Sequence, residues 1–246
     1  MFNLLEIEFY KLKKSKAFYI LILLSVAQSL VVGIFYDKLS QHSGKETLAY
    51  MFYIQSSLGG NIFVGILSAD FIGNEFISGY IKNLICYGHR RRDILIAKSI
   101  VYFFGSIIIN FTCPVIFALI NTMKNGYCSN FTFWEFINLL AIILASIITQ
   151  IAICSISLLV IFLSKSPNIN IGVLIGVDFI FRAMNIVVIH IPSFRNIYDN
   201  FILSQFGVIS QDNVTISQYL HVFAIGIITI AIFFSITNYF FEKSDI

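Results

Sequence analysis

Asp178 and Arg182 stand four residues apart in the apolar run Ile169–His190. At i and i+4 of a helix their side chains share a face and can pair. Unpaired, each charge would cost about 2.5–3.5 kcal/mol at the centre of a bilayer. The two therefore face protein or a water-filled cavity, either as an ion pair locking their helix to its neighbours or as the lining of a polar substrate path. Other chemistries lack their residues. The Gly44-Lys45 pair is followed by Glu46 and preceded five residues earlier by Leu39, so the G-x-x-x-x-G-K-[ST] loop that cradles phosphates is missing. His42, His89, His190 and His221 are isolated, with no H-E-x-x-H, aspartate-rich or G-x-S-x-G motif around them. Cys86, Cys113, Cys128 and Cys154 form no C-x-x-C pair and are read as small packing residues. No catalytic residue and no metal site is expected, and nothing in the modest charge of +3 points to nucleic acid.

The elements that must hold these residues follow from composition. Of 246 residues, 58% are hydrophobic and only 12% charged, with 26 Phe and a mean hydropathy of +0.85. One water-soluble core cannot hide that much apolar surface. A bilayer about 30 Å thick takes about 20 apolar residues per helix, and six runs qualify: 17–36, 51–72, 99–121, 136–163, 169–190 and 221–241. The expectation is an all-α polytopic membrane protein with six transmembrane helices, a single transmembrane unit over 1–246. The first run is too long for a signal-peptide core and lacks a small-residue cleavage site after it. Lys and Arg divide 11 to 4 across the expected loops and tails, the larger number on the side of the N-terminus, with Arg182 inside a span. The positive-inside rule then makes both termini cytoplasmic.

Within the spans, Gln55, Asn61, Asn110, Gln150 and Asn185 can hydrogen-bond between helices, and Gly172-x-x-x-Gly176 and Ser56-x-x-x-Gly60 permit close approach. Pro114 is expected to kink span three. Asp70, at the inner end of span two, reads as a water-solvated anchor. The tight inner turn Ser164–Asn168 contains Pro167. The outer stretch Ile191–Leu220 carries Phe201-Ile202-Leu203 and Phe206-Gly207-Val208-Ile209, which read as interfacial or re-entrant.

Two cytoplasmic stretches are patterned for more than orientation. Before span one, Phe2, Leu4, Leu5, Phe9 and Leu12 alternate with Glu6, Glu8, Lys11 and Lys13. Residues 1–16 read as an interfacial amphipathic helix with lysines near anionic lipid, or as a charged flank that merely orients span one. After span two, Gly73–Gly88 keeps Phe76, Ile77, Ile81, Leu84 and Ile85 beyond the expected bilayer edge, with Gly79 as a break. This is a short helix or two docking on a cytoplasmic partner, or a helix folded back on the lipid surface.

Three motifs give these stretches a family likeness: Glu6-x-x-x-Tyr10-Lys11-Leu12-x-x-Ser15-Lys16, Glu75-x-x-x-Gly79-Tyr80-Ile81-Lys82-Asn83, and Arg90-Arg91-Arg92-Asp93-Ile94-Leu95-Ile96-Ala97-Lys98. Together they resemble the permease subunits of ABC-2 type exporters, especially the small six-span permeases of peptide, bacteriocin-immunity and bacitracin-like efflux systems. They look like the connecting helix, the coupling element between spans two and three, and the basic approach to span three. One departure is Tyr80, where many members carry Thr. The likeness implies that Glu75, Phe76, Ile77, Gly79, Tyr80, Ile81, Lys82, Asn83 and Leu84 couple to a soluble ATPase subunit. It also implies a second permease copy, identical or related, and no cofactor in this chain, ATP and Mg²⁺ residing on the ATPase. The cargo would be hydrophobic or amphipathic peptides or drugs, and the location a bacterial plasma membrane. The residues themselves leave one alternative from another class, a small integral membrane enzyme or assembly factor with a site near Asp178 and Arg182.

Overall fold

The computed structural model describes residues 2–35, 43–128, 131–211 and 214–244. About 90% of the described residues are helical, and none of them lies in a strand. Helix α1 (Phe2–Lys14) meets α2 (Lys16–Phe35) at an elbow of 55°. There the Ser15 hydroxyl accepts from the Phe18 amide at 3.2 Å and donates to Asp70 at 3.1 Å. Asp70 thus ties the elbow to the next long helix, where the sequence reads it as a solvated anchor.

That next helix differs from the unbroken span expected over 51–72. It starts already at Gly44, because Ser43 and Glu46 form a capping box that satisfies its first amides. It then runs as α3 (Gly44–Gln55), a π turn (Ser56–Gly60), α4 (Asn61–Ser68), a second π turn (Ala69–Gly73) and α5 (Asn74–Ile77). Gly59 interrupts it with φ at +101°, a conformation that only glycine adopts freely. A β-carbon on Gly60 would lie 2.7 Å from both the Asn110 Oδ1 and the Gln55 carbonyl oxygen. Gly79, at φ +72°, turns the chain by 60° into α6 (Tyr80–Cys86).

The remaining long helices are α7 (Arg91–Asn125), α8 (Phe133–Ser164), α9 (Pro167–His190) and α12 (Ile216–Lys243). Pro114 lies inside α7 without ending it, as lipid-embedded helices tolerate when neighbours satisfy the freed backbone. The turn between α8 and α9 places Lys165 at φ 51° and starts α9 on Pro167, where the missing amide hydrogen would be orphaned anyway. Between α9 and α12 lie the short α10 (Arg195–Asp199) and α11 (Gln205–Ile209). Of the apolar residues expected to be interfacial or re-entrant there, Ile202, Leu203, Phe206 and Ile209 are buried in protein, while Phe201 is exposed. Phe206 stacks on Phe52 of α3 at 6.4 Å.

Among the described residues, helices α7, α8, α9 and α12 are each long and apolar enough to cross a membrane, and the bent pairs α1–α2 and α4–α6 raise the number to as many as six. Among the described residues two large apolar clusters fill the bundle, beside a smaller one of Val32, Met51, Ile54, Cys113 and Phe117. Of the two large ones, one gathers Leu4, Leu12, Leu67, Ile81, Ile94, Tyr102, Leu158 and Phe241, and the other Leu48, Phe52, Ala145, Ile202, Phe206 and Val222.

Candidate functional site: a buried charge junction and a polar layer

Positions 4, 8, 11 and 12 of α1 share one helical face, and the structure turns that face inward. Leu4, Glu8 and Leu12 are buried, and Leu12 packs against Gly105 of α7. The sequence pattern grouped Glu8 with the solvated charges; it is instead fully buried. Its partner is Lys98, eight residues into α7 and also without exposure. The Lys98 ammonium donates to both Glu8 oxygens at 3.1 Å and to Glu75 of α5. An ammonium has three donors, and all three are used.

Lys11 closes the ring by bridging the same carboxylates, 3.1 Å from Glu8 and 2.8 Å from Glu75. Two cations therefore alternate with two anions, and the net charge is zero. The Tyr80 ring sits 3.5 Å from the Lys11 ammonium and the Phe71 ring 5.4 Å from that of Lys98, adding cation–π attraction. Burial pulls the Lys11 pKa down, but the hydrogen bond and charge of Glu75 and the charge of Glu8 outweigh it and hold the value above the usual 10.5. The stability this link contributes is thus complete at neutral pH and is lost only as pH rises through that raised value.

The ring fixes α1, α5 and α7 to one another. Beside it, the Arg91 guanidinium donates to the Phe241 carbonyl at 2.9 Å, the Glu242 carbonyl at 3.1 Å and the Ser244 carbonyl. It satisfies the free C-terminal carbonyls of α12 and sets a cation on the negative end of that helix dipole.

Deeper in the bundle, Asp178 accepts from the Arg182 Nε at 2.8 Å and from the Asn61 amide at 3.1 Å. Asn61 also reaches the Ser56 carbonyl, within the first π turn, at 3.4 Å. Gln55 donates weakly to Asn110 at 3.5 Å, and its side-chain Oε1 is buried without a partner among the described residues. Gln55, Ser56, Asn61, Asn110 and Gln150 line a cavity of about 10 Å³, room for roughly one water. A separate buried network joins α4, α8 and α9: Ser68 and Ser157 hydroxyls 2.7 Å apart, with the Asn170 amide donating to Ser68 at 2.6 Å and to the Gly65 carbonyl at 3.2 Å. Among the described residues no group of three or more His, Cys, Asp or Glu could hold a metal ion.

A family model described as ABC-2 family transporter protein matches residues 4–184. The match spans well over half of the chain and takes in the whole charge ring together with Asp178 and Arg182. The chain belongs to the ABC-2 family of transporter proteins. No curated protein matches it. Membership makes it a transport permease whose family works with an ABC ATPase.

In this ABC-2 permease the three motifs noted in the sequence converge on one spot. Lys11 comes from the first, Glu75 and Tyr80 from the second and Lys98 from the third. Tyr80, the departure from the common Thr, is the ring beneath Lys11. The residues proposed for coupling divide into two sets. Ile81 and Leu84 are buried, and Phe76 packs edge-on against Phe162 and Phe241, at 5.3 and 6.4 Å; these hold the element to the bundle. Ile77, at 71% exposure, faces outward with Lys82 and Asn83, beside Tyr87 at 84%. Of the cysteines, Cys113 and Cys154 are buried as read from the sequence, whereas Cys86 is exposed. Asn185, half-buried, does not line the cavity of the polar layer. Glu8, Lys11 and Lys98 are the members of the charge ring that the sequence reading did not single out as site residues. The signal was there, since Lys98 interrupts the apolar helix face of Ile94, Leu95 and Val101, and a cation in such a place needs an anion.

Proposed function

We propose that this permease is the membrane subunit of an ATP-driven exporter, moving hydrophobic or amphipathic peptides or drugs out of a bacterial cell. It crosses the plasma membrane six times with both termini in the cytoplasm and pairs with a second permease copy. A separate soluble ATPase subunit holds ATP and Mg²⁺. The observation that carries this reading is the buried ring of Glu8, Lys98, Glu75 and Lys11, which makes the element after span two rigid with α1 and α7. A subunit without a phosphate loop must receive work from its partner through such an element. The ATPase docks on the outward face, Ile77, Lys82, Asn83 and Tyr87. Its closure displaces α5 and α6, and the ring passes the displacement to α1 and α7, so that the helices rock as a body and open the path outward. No bond in the cargo is made or broken.

The deciding experiment is capture of the ATPase. Ile77→Asp combined with Lys82→Glu should reduce co-purification of the ATPase, and stimulation of its ATP hydrolysis, at least tenfold while leaving yield and thermal stability of the permease unchanged. Normal stimulation by that variant would reject the docking face, and failure of the wild type to bind any ATPase would reject the exporter reading. Topology has its own check. A membrane-impermeant thiol reagent applied to intact cells should label Cys128 and spare Cys86; labelling of Cys86 would invert the orientation.

A further inference from the structure

Four side-chain amides meet where the second long helix is interrupted: Gln55 ends α3, Asn61 starts α4, Asn110 lies near the middle of α7 and Gln150 near the middle of α8. All four are at most 5% exposed, and with Ser56 they line the cavity of about 10 Å³ in the polar layer. The way each amide points follows from what its nitrogen meets. The Asn61 Nδ2 donates to the Asp178 carboxylate at 3.1 Å and to the Ser56 carbonyl at 3.4 Å, two groups that repel an oxygen. The Asn110 Nδ2 donates to the Ser106 carbonyl at 3.2 Å, the Gln150 Nε2 to the Cys154 sulfur at 3.7 Å and the Gln55 Nε2 to Asn110 Oδ1 at 3.5 Å. With the nitrogens so committed, Gln55 Oε1, Asn61 Oδ1, Asn110 Oδ1 and Gln150 Oε1 are what these side chains have left to offer the cavity. Gln55 Oε1 is buried without a partner among the described residues, a state that costs the full desolvation of the group unless something fills the cavity.

A buried group of acceptors calls for a positive occupant. One water brings two hydrogens for four oxygens, whereas one cation can serve all four. The oxygens are neutral and suit a single charge, since hard divalent ions draw on carboxylates. Interrupted membrane helices elsewhere use oxygens of this kind to coordinate sodium at mid-membrane. The Asp178 carboxylate contributes through Asn61, because accepting from that amide raises the electron density on Asn61 Oδ1. We infer that the layer is a binding site for one monovalent cation of sodium's size, held by the amide oxygens of Gln55, Asn61, Asn110 and Gln150. Room for roughly one water admits a dehydrated ion and excludes an organic ammonium. The bound ion ties α3 and α4, on either side of the π turn, to α7 and α8 and so fixes the angle of the interruption. The site belongs to the permease chain alone and does not depend on the exporter reading. No spacing in the sequence announces it, because each oxygen comes from a different helix.

The test uses the full-length permease in detergent. Replacing choline chloride with sodium chloride at constant ionic strength should raise the unfolding temperature saturably, by about 2–4 °C, and the wild type should retain one radioactive sodium ion per chain. Gln55→Met and Gln150→Met each remove one oxygen. In either variant the sodium concentration giving half of the shift should rise at least tenfold, while stability in choline stays unchanged; an amide with a merely structural role would show its loss in choline as well. Gln55→Glu, which keeps the shape and adds a charge, should lower that concentration. Equal unfolding in the two salts, with no sodium retained, would overturn the inference and leave a water in the cavity. A full sodium shift at unchanged concentration in all three variants would put the ion elsewhere and overturn the site.

Discussion

Lys98→Met is expected to destabilise the detergent-solubilised permease by about 3–5 kcal/mol, the usual effect of deleting one member of a buried ion pair, and to abolish stimulation of the ATPase. The reason is the geometry of the ring. Without Lys98, the fully buried Glu8 keeps only Lys11 at 3.1 Å, and Glu75 loses its contact to α7. Glu8→Gln should be milder, since an amide can still accept from the ammonium. The double variant Lys98→Met with Glu8→Leu should recover part of the stability, because no charge is then stranded, yet not recover the stimulation, because α1 and α5 are no longer bound to α7. Thermal unfolding followed by intrinsic fluorescence, alongside ATP hydrolysis with the captured ATPase, separates the two effects. Wild-type stimulation in a stable double variant would show that the ring holds the fold and transmits nothing.

Replacing Asp178 alone, as Asp178→Leu, should cost a comparable 3–5 kcal/mol by leaving Arg182 and the Asn61 amide without their shared acceptor. The double variant Asp178→Leu with Arg182→Met should be less damaged than either single change, with a coupling of about 1–3 kcal/mol between them. Strictly additive losses in yield and unfolding temperature would show that the two do not act as a pair. A double variant that assembles normally and transports nothing would place the pair on the cargo path.

The residues legible in sequence are those whose signal is local. Apolar runs mark α7, α8, α9 and α12 because a helix in lipid must satisfy its own backbone and expose apolar side chains along its whole length. Asp178 and Arg182 were pairable from their spacing, since four residues on a helix is a fixed geometry. The start of α3 was missed by several residues because a capping box outweighs polar composition at a helix end, and its π turns were missed because an extra residue in a turn leaves no periodic trace.

The division between the two sources of information runs along distance in the chain. By itself the sequence determined that this protein lives in lipid, roughly where its helices lie, and that it carries the motifs of an ABC-2 permease. It also determined that a flexible glycine, Gly79, breaks the segment after the second long helix. Tertiary structure alone decided that Glu8 and Lys98, 90 residues apart, meet fully buried, that Asn61 completes Asp178, and that Ile81 faces in while Ile77 faces out. A buried charge is tolerable only where an opposite charge from another helix is within hydrogen-bond reach, and no periodicity along one helix specifies what the next one brings to it.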